Sequence, residues 1–352
     1  PRPCGPCEHI RNDILLVLRR TTRARRASSV PGRAWRHRVC PIHFLKLTSC
    51  SDYADIILIL QFMLSKSAMT NKSLTTAETP SGKGPNDENF PVGSIFLPAS
   101  LRPHVAIFYA YARAIDDVAD NPLLTPSEKV KRLEGCEDAV RGKNDDPAFQ
   151  KGHAIRKSLI ECGITDQHCC DLITAFKQDA TKNRYEDWSE LIDYCNHSAA
   201  PVGRYLLDIH GEEPSGYPAS DALCNALQVI NHLQDCSDDY KTMDRVYLPT
   251  EWLTQEKVTP DALNNKYTSA NLRIVLDKCL DATDDLLIKA KTLPNKLKSK
   301  RLAMESATII KIACKLSEKL RANDPIACRV ELNKIQFFSC CLSGFFAGLR
   351  NR

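Results

Sequence analysis

RPHVAIFYAYARAIDDVAD, residues 102–120, decides the fold. Its apolar side chains recur at three- and four-residue spacing, the period of an amphipathic helix, and prolines at 122 and 126 close the run. Similar runs lie around 127–141, 148–161, 166–182, 187–210, 220–240, 269–291, 300–321 and 326–349. No Asn-Gly or Asp-Gly hairpin joins alternating segments, and no strand–helix–strand pattern appears. The expectation is one all-α domain over 86–352, without internal repeats.

A chain of 352 residues, 43% apolar and 26% charged, has the composition of a soluble globular protein and can bury a large core. The net charge of +5 is unevenly placed: ten arginines against four acidic residues precede Met69, leaving the rest near neutral. No nucleic-acid partner is therefore expected of the predicted domain. Sixteen cysteines are scattered among apolar neighbours rather than spaced as zinc ligands. They read as reduced, buried small hydrophobes of a cytoplasmic protein.

Residues 1–68 open on Pro and are rich in Arg and Cys; they read as a gene-model extension, with an Arg-rich targeting segment as the alternative. Residues 69–85 are polar and read as a disordered lead-in.

The chemistry begins with charge. Asp116 and Asp120 are four apart and share a helix face, with Arg113 one turn before and Asp117 offset by about 100°. Carboxylates this close repel unless a cation lies between them. A second cluster, NHLQDCSDDYKTMDRVYLP (231–249), spaces Asn231, Asp235 and Asp239 four and four, with Arg245 and Tyr247 following. Two acidic stripes suit Mg²⁺ ions that keep some waters and bridge to a diphosphate. Arg113 and Arg245 would then grip phosphate oxygens. Neither a P-loop nor a GxGxxG turn is present, so a nucleotide is not the natural diphosphate carrier. A prenyl diphosphate, ionised inside an apolar helical bundle, fits better.

With ENFPVGSIFLP (88–98), YAYARAIDDVAD (109–120), DYCNHSAAPVGRYLL (193–207) and the 231–249 cluster in order, the chain resembles the squalene/phytoene synthase family of head-to-head prenyl transferases. ENFPVGS, QDATKNRYEDW (178–188), CNHSAAPVGR and VYLPTEWL (246–253) look most like its hydroxysqualene synthase branch, which serves hopanoid biosynthesis. The resemblance implies a single isoprenoid-synthase helical bundle with a central cavity, in which presqualene diphosphate and water give hydroxysqualene and diphosphate. Asp116 and Asp120 would ligate metal at one site, and Asn231, Asp235 and Asp239 at the other, holding two or three Mg²⁺ ions that Mn²⁺ could replace. Tyr194 would lie near the reacting carbons. Arg113, Arg204, Arg245, Tyr247 and Asn89 would contact the diphosphate, Asn89 standing where several family members have serine. NADPH is not expected to be required. Alternatives within the family are squalene, presqualene diphosphate and phytoene synthases; a different class is a non-catalytic member acting as an assembly factor.

The histidines 104, 210 and 232 lack metal-ligand spacing, and Trp188 and Trp252 read as packing residues. The apolar stretch 335–349 admits two readings: a final core helix, or a helix lying in the inner-membrane interface. Other enzymes of the hopanoid pathway are further partners to consider.

Overall fold

The computed structural model describes residues 97–350. The expectations for residues 1–68 and 69–85, and for Asn89, lie outside them. Eleven α-helices follow one another among the described residues: α1 (Arg102–Asp120), α2 (Pro126–Arg141), α3 (Gln150–Cys162), α4 (Gln167–Asp179), α5 (Trp188–Ser198) and α6 (Ala200–Ile209), then α7 (Tyr217–Met243), α8 (Thr250–Gln255), α9 (Ala270–Ala290), α10 (Lys300–Ala322) and α11 (Lys334–Arg350). No strand forms among them; a lone parallel bridge joins Arg184 to Val246.

Helix limits follow local chemistry. Thr125 caps α2 in a reciprocal box with Glu128, Pro126 occupies the first turn, and Gly142 ends the helix in the left-handed conformation. The run predicted over 187–210 is two helices, because the backbone bends at Ala199 and Pro201 cannot continue a hydrogen-bond ladder. The final helix starts at Lys334 rather than 326; Asp324 instead caps the preceding turn by accepting from the backbone N–H groups of Ile326 and Ala327.

α7 is 27 residues long, about 40 Å, and organises the interior. One of its stripes runs Ser220, Leu223, Leu227, Asn231, Asp235, Asp239, changing from apolar to acidic along the axis. On α1 the stripe Val105, Tyr109, Ala112, Asp116, Asp120 changes in the same sense. Both stripes, as far as Asp116 and Asn231, border one cavity of about 290 Å³.

α6 lies close against α7 at Gly203, where an added Cβ would stand 2.4 Å from Ser220 Oγ and 2.6 Å from Cys224 Sγ. The glycine permits this approach, and with it the shape of the cavity wall. α11 packs on α10 in the same way, an added Cβ at Gly344 falling 2.3 Å from Thr308 Cα. Of the two readings of 335–349, packing thus accounts for the inner face, formed by Cys340, Gly344 and the partly buried Phe337. The outer face leaves Ile335, Phe338, Leu342 and Phe346 exposed in one stripe.

Candidate active site

The cavity has two chemically distinct ends. Most of its wall is aliphatic, with Leu206, Leu223, Leu227, Leu302 and Ile309 beside Phe108. Arg113, Asp116 and Asn231 join it where the two acidic stripes approach.

At that end Arg113 pairs with Asp116 at 3.1 Å and with Asp117 at 2.9 Å. Asp117 is buried and receives both Nε and Nη2 of the same guanidinium, so it holds Arg113 in place rather than lining the cavity. Desolvation first, then repulsion from Asp120, pushes the Asp116 carboxyl above the ordinary carboxylate range, with Arg113 opposing. Crowded carboxylates of this kind are what a divalent cation relieves. Across the cavity Asp235 forms an ion pair with Arg329, from the loop before α11, and Arg329 also reaches Glu331 at 3.1 Å.

Among the described residues no three His, Cys, Asp or Glu side chains converge closely enough to hold an ion alone. The donors nevertheless fit Mg²⁺: hard oxygens only, on two stripes, leaving coordination positions for water and phosphate.

The chain after α7 ties the ends of the two acidic helices together. Asp244 takes a left-handed φ of 54° at the helix terminus, which turns Arg245 back towards α1. Buried Arg245 donates from Nη1 to Asp120 Oδ1 at 2.6 Å, and from Nη2 to the carbonyls of Ala119 at 3.4 Å and Asp179 at 3.2 Å. Burial works against its charge, but Tyr247, Asp179 and Asp120 outweigh that and raise its pKa.

Behind the wall lies a connected polar cluster. Tyr194 donates to Asp179 Oδ2 at 2.8 Å and Tyr247 to Oδ1 at 3.4 Å. Burial pushes the Asp179 carboxyl up to about 6, the Arg245 charge and the two phenols holding it back. His232 stacks on Tyr247 with ring centroids 3.6 Å apart. Burial, then Arg245, lowers the imidazole to about 3; the ring is neutral and accepts at Nε2 from the Gln228 amide, 3.2 Å away. Gln228 itself borders the cavity.

The structure thus brings Arg113, Asp116, Asp120, Asn231, Asp235, Asp239 and Arg245 to one end of the bundle, with Tyr194 and Tyr247 behind it. Arg204 is not brought there. Its guanidinium is fixed bidentately on Asp221 at 2.9 and 2.7 Å and lies over the Tyr217 ring. Asp221 is ten residues before Asn231 on α7, about 15 Å along the axis. Three groups at the site escaped the sequence reading: Asp179, Arg329, and Lys129 of α2, whose pKa burial and then Arg245 lower while Asp120 and Asp179 oppose them. Asp179 stands inside QDATKNRYEDW, a stretch already singled out; Lys129 and Arg329 carry no sequence signal.

The squalene/phytoene synthase family model matches residues 84–336. Hydroxysqualene synthases from Zymomonas mobilis and Rhodopseudomonas palustris are each 39% identical, over 77% and 75% of this chain and 92% and 89% of their own lengths. The crystal structure of squalene synthase HpnC from Alicyclobacillus acidocaldarius superposes with a TM-score of 0.58 at 30% identity, covering 66% of this chain and 87% of the other. A dehydrosqualene synthase, 19% identical with a TM-score of 0.60, shares the fold over 73% of this chain and 90% of its own.

Proposed function

We propose a reaction on one premise: the chain belongs to the squalene/phytoene synthase family and has its all-α isoprenoid-synthase fold. It is an enzyme of the head-to-head prenyl synthase type, acting in hopanoid biosynthesis. The specific reaction is conversion of presqualene diphosphate and water to hydroxysqualene and diphosphate.

One observation carries this reading. A mostly aliphatic cavity ends on Arg113, Asp116 and Asn231, which suits a long hydrocarbon with an anionic head. Similarity to hydroxysqualene synthases over most of the domain selects water as the second reactant.

Asp116 and Asp120 would hold Mg²⁺ on one side and Asn231, Asp235 and Asp239 on the other. Bound magnesium supplies charge neutralisation for the departing diphosphate. Arg113, fixed by Asp117, is aimed at the phosphate oxygens from the α1 side. Arg245 supports Asp120 and adds positive potential to the same end. The aliphatic walls exclude bulk water, so a developing carbocation meets only the solvent molecule that the cavity admits. Tyr194 and Tyr247 place phenolic oxygens behind the metal end, where a cation is stabilised by oxygen lone pairs.

The outer stripe Ile335, Phe338, Leu342 and Phe346 suits peripheral contact with a membrane, the natural reservoir for a C30 product. No helix among the described residues is long and apolar enough to cross one.

Purified protein with Mg²⁺ and presqualene diphosphate, without NADPH, should form hydroxysqualene and release diphosphate. Unreacted presqualene diphosphate, or squalene that appears only with NADPH, would overturn the proposal. Asp116→Ala and Asp235→Ala should remain folded and lose turnover; activity in either refutes the metal assignment.

A further inference from the structure

One buried carboxylate is not used by the metal and diphosphate chemistry. Asp179 ends α4 and is 5% exposed. Among the described residues no Lys, Arg or His side chain forms an ion pair with it; Arg245 bonds its main-chain oxygen instead. Burying a carboxylate costs several kcal/mol unless hydrogen bonds offset it. Those bonds come from two phenols, Tyr194 at Oδ2 and Tyr247 at Oδ1.

A phenol has one proton to give. Once Tyr194 donates it to Asp179, its oxygen offers only lone pairs to any other group; the same holds for Tyr247. An asparagine would reverse this on one side, because its Nδ2 donates and would compete with the phenol that faces it. The pair lies just behind the cavity wall. Tyr194 lies one turn before Ser198, which borders it, and Tyr247 stacks on His232, which is bonded to the wall residue Gln228.

We propose that Asp179 is a positioning residue for the reaction: by accepting the hydrogen bonds of the Tyr194 and Tyr247 hydroxyls, it leaves both oxygens only lone pairs to offer the reacting end through the cavity wall. This rests on the carbocation chemistry proposed above. Lone pairs turned towards a developing cation stabilise it, whereas an O–H dipole turned the same way opposes it. An accepting oxygen also holds water by its hydrogen, leaving the water's own lone pair free to meet carbon.

The test is a double-mutant cycle on steady-state turnover, with the product identified in every run. Asp179→Asn should lower kcat about 100-fold, the scale of a misplaced reacting group, with KM within about threefold and no loss of thermal stability. Tyr194→Phe should lower it comparably, and the double variant should be no slower than the worse single by more than about threefold. Multiplicative losses, full turnover by Asp179→Asn, or a defect confined to KM would overturn the proposal. If Asp179→Asn does not fold, Asp179→Glu, which keeps the charge but shifts the acceptor oxygens, takes its place in the cycle with Tyr194→Phe, and the losses should again fail to multiply. Should the wild type make a product other than hydroxysqualene, the reaction reading fails while the cycle, read on that product, still decides the role of Asp179.

Discussion

Replacing Arg245 by alanine removes the guanidinium that ties α7 to the end of α1. Its bond to Asp120 at 2.6 Å is charge-assisted, worth about 1.5–3 kcal/mol, and the bonds to the Ala119 and Asp179 carbonyls, at 3.2–3.4 Å, add about 0.5 kcal/mol each. Asp120 is about a third exposed and rehydrates once its partner is gone, which brings the net loss to about 2–3 kcal/mol. At about 2–4 °C per kcal/mol for a domain of this size, the melting temperature should fall by about 5–10 °C. Arg245→Lys keeps a charge opposite Asp120 but lacks the planar fork that reaches both carbonyls, so about half the loss is expected. Circular-dichroism melts at pH 7 without substrate measure both. An alanine variant melting within about 2 °C of wild type, below the smallest shift allowed by that scale, refutes the coupling. A lysine variant as unstable as alanine shows that geometry, not charge, makes the contact.

Other outcomes follow from the same contacts. Because burial raises the Asp179 carboxyl to about 6, above its ordinary 3.8, the folded state binds the proton more tightly than the unfolded chain. The resulting penalty is fully present above pH 6 and is relieved as pH falls towards 4; wild type should thus gain up to about 3 kcal/mol relative to Asp179→Asn over that window in urea melts, and a flat difference contradicts the shift. Chelation by EDTA should abolish turnover while leaving the helical circular-dichroism signal in place, with Mg²⁺ restoring activity; full activity in excess chelator excludes the metal. Gly344→Ala should lower the melting temperature by about 2–8 °C, since the new methyl meets Thr308 backbone and overpacking of this kind costs about 1–3 kcal/mol against a small helix-propensity gain; an unchanged melt shows that α11 can shift without cost. Ile335→Glu together with Phe338→Glu should reduce co-sedimentation with phosphatidylglycerol vesicles without changing turnover of detergent-solubilised substrate, and equal sedimentation removes the membrane contact.

The fold was legible because helix periodicity is local. Side chains three and four apart report which face a helix buries, and the helices from Arg102 to Ala322 appear where that period predicts, except the six-residue α8, which is too short to show a period. Two boundaries were missed for local reasons as well: the bend at Ala199, ahead of Pro201, and the turn capped by Asp324. The two acidic stripes were also visible, since the four-residue spacing of Asp116 and Asp120, and of Asn231, Asp235 and Asp239, fixes a shared face before any packing is known.

Sequence spacing could not say which charges meet. Arg204 was a diphosphate candidate only through the family resemblance, and Asp221, on a different helix, takes both arms of its guanidinium. Arg329 and Asp235 are 94 residues apart and pair only because the loop before α11 returns to the end of α7. Asp179 is one aspartate among many in the chain. It becomes a hub only when α4, α5 and the segment after α7 bring Tyr194, Tyr247 and Arg245 around it. Sequence by itself determined most of the helices, their faces and the two acidic stripes, because those depend on neighbours within a turn. Tertiary structure decided the partners of each buried charge, because burial and Coulomb energy depend on distance in space, which chain separation does not set.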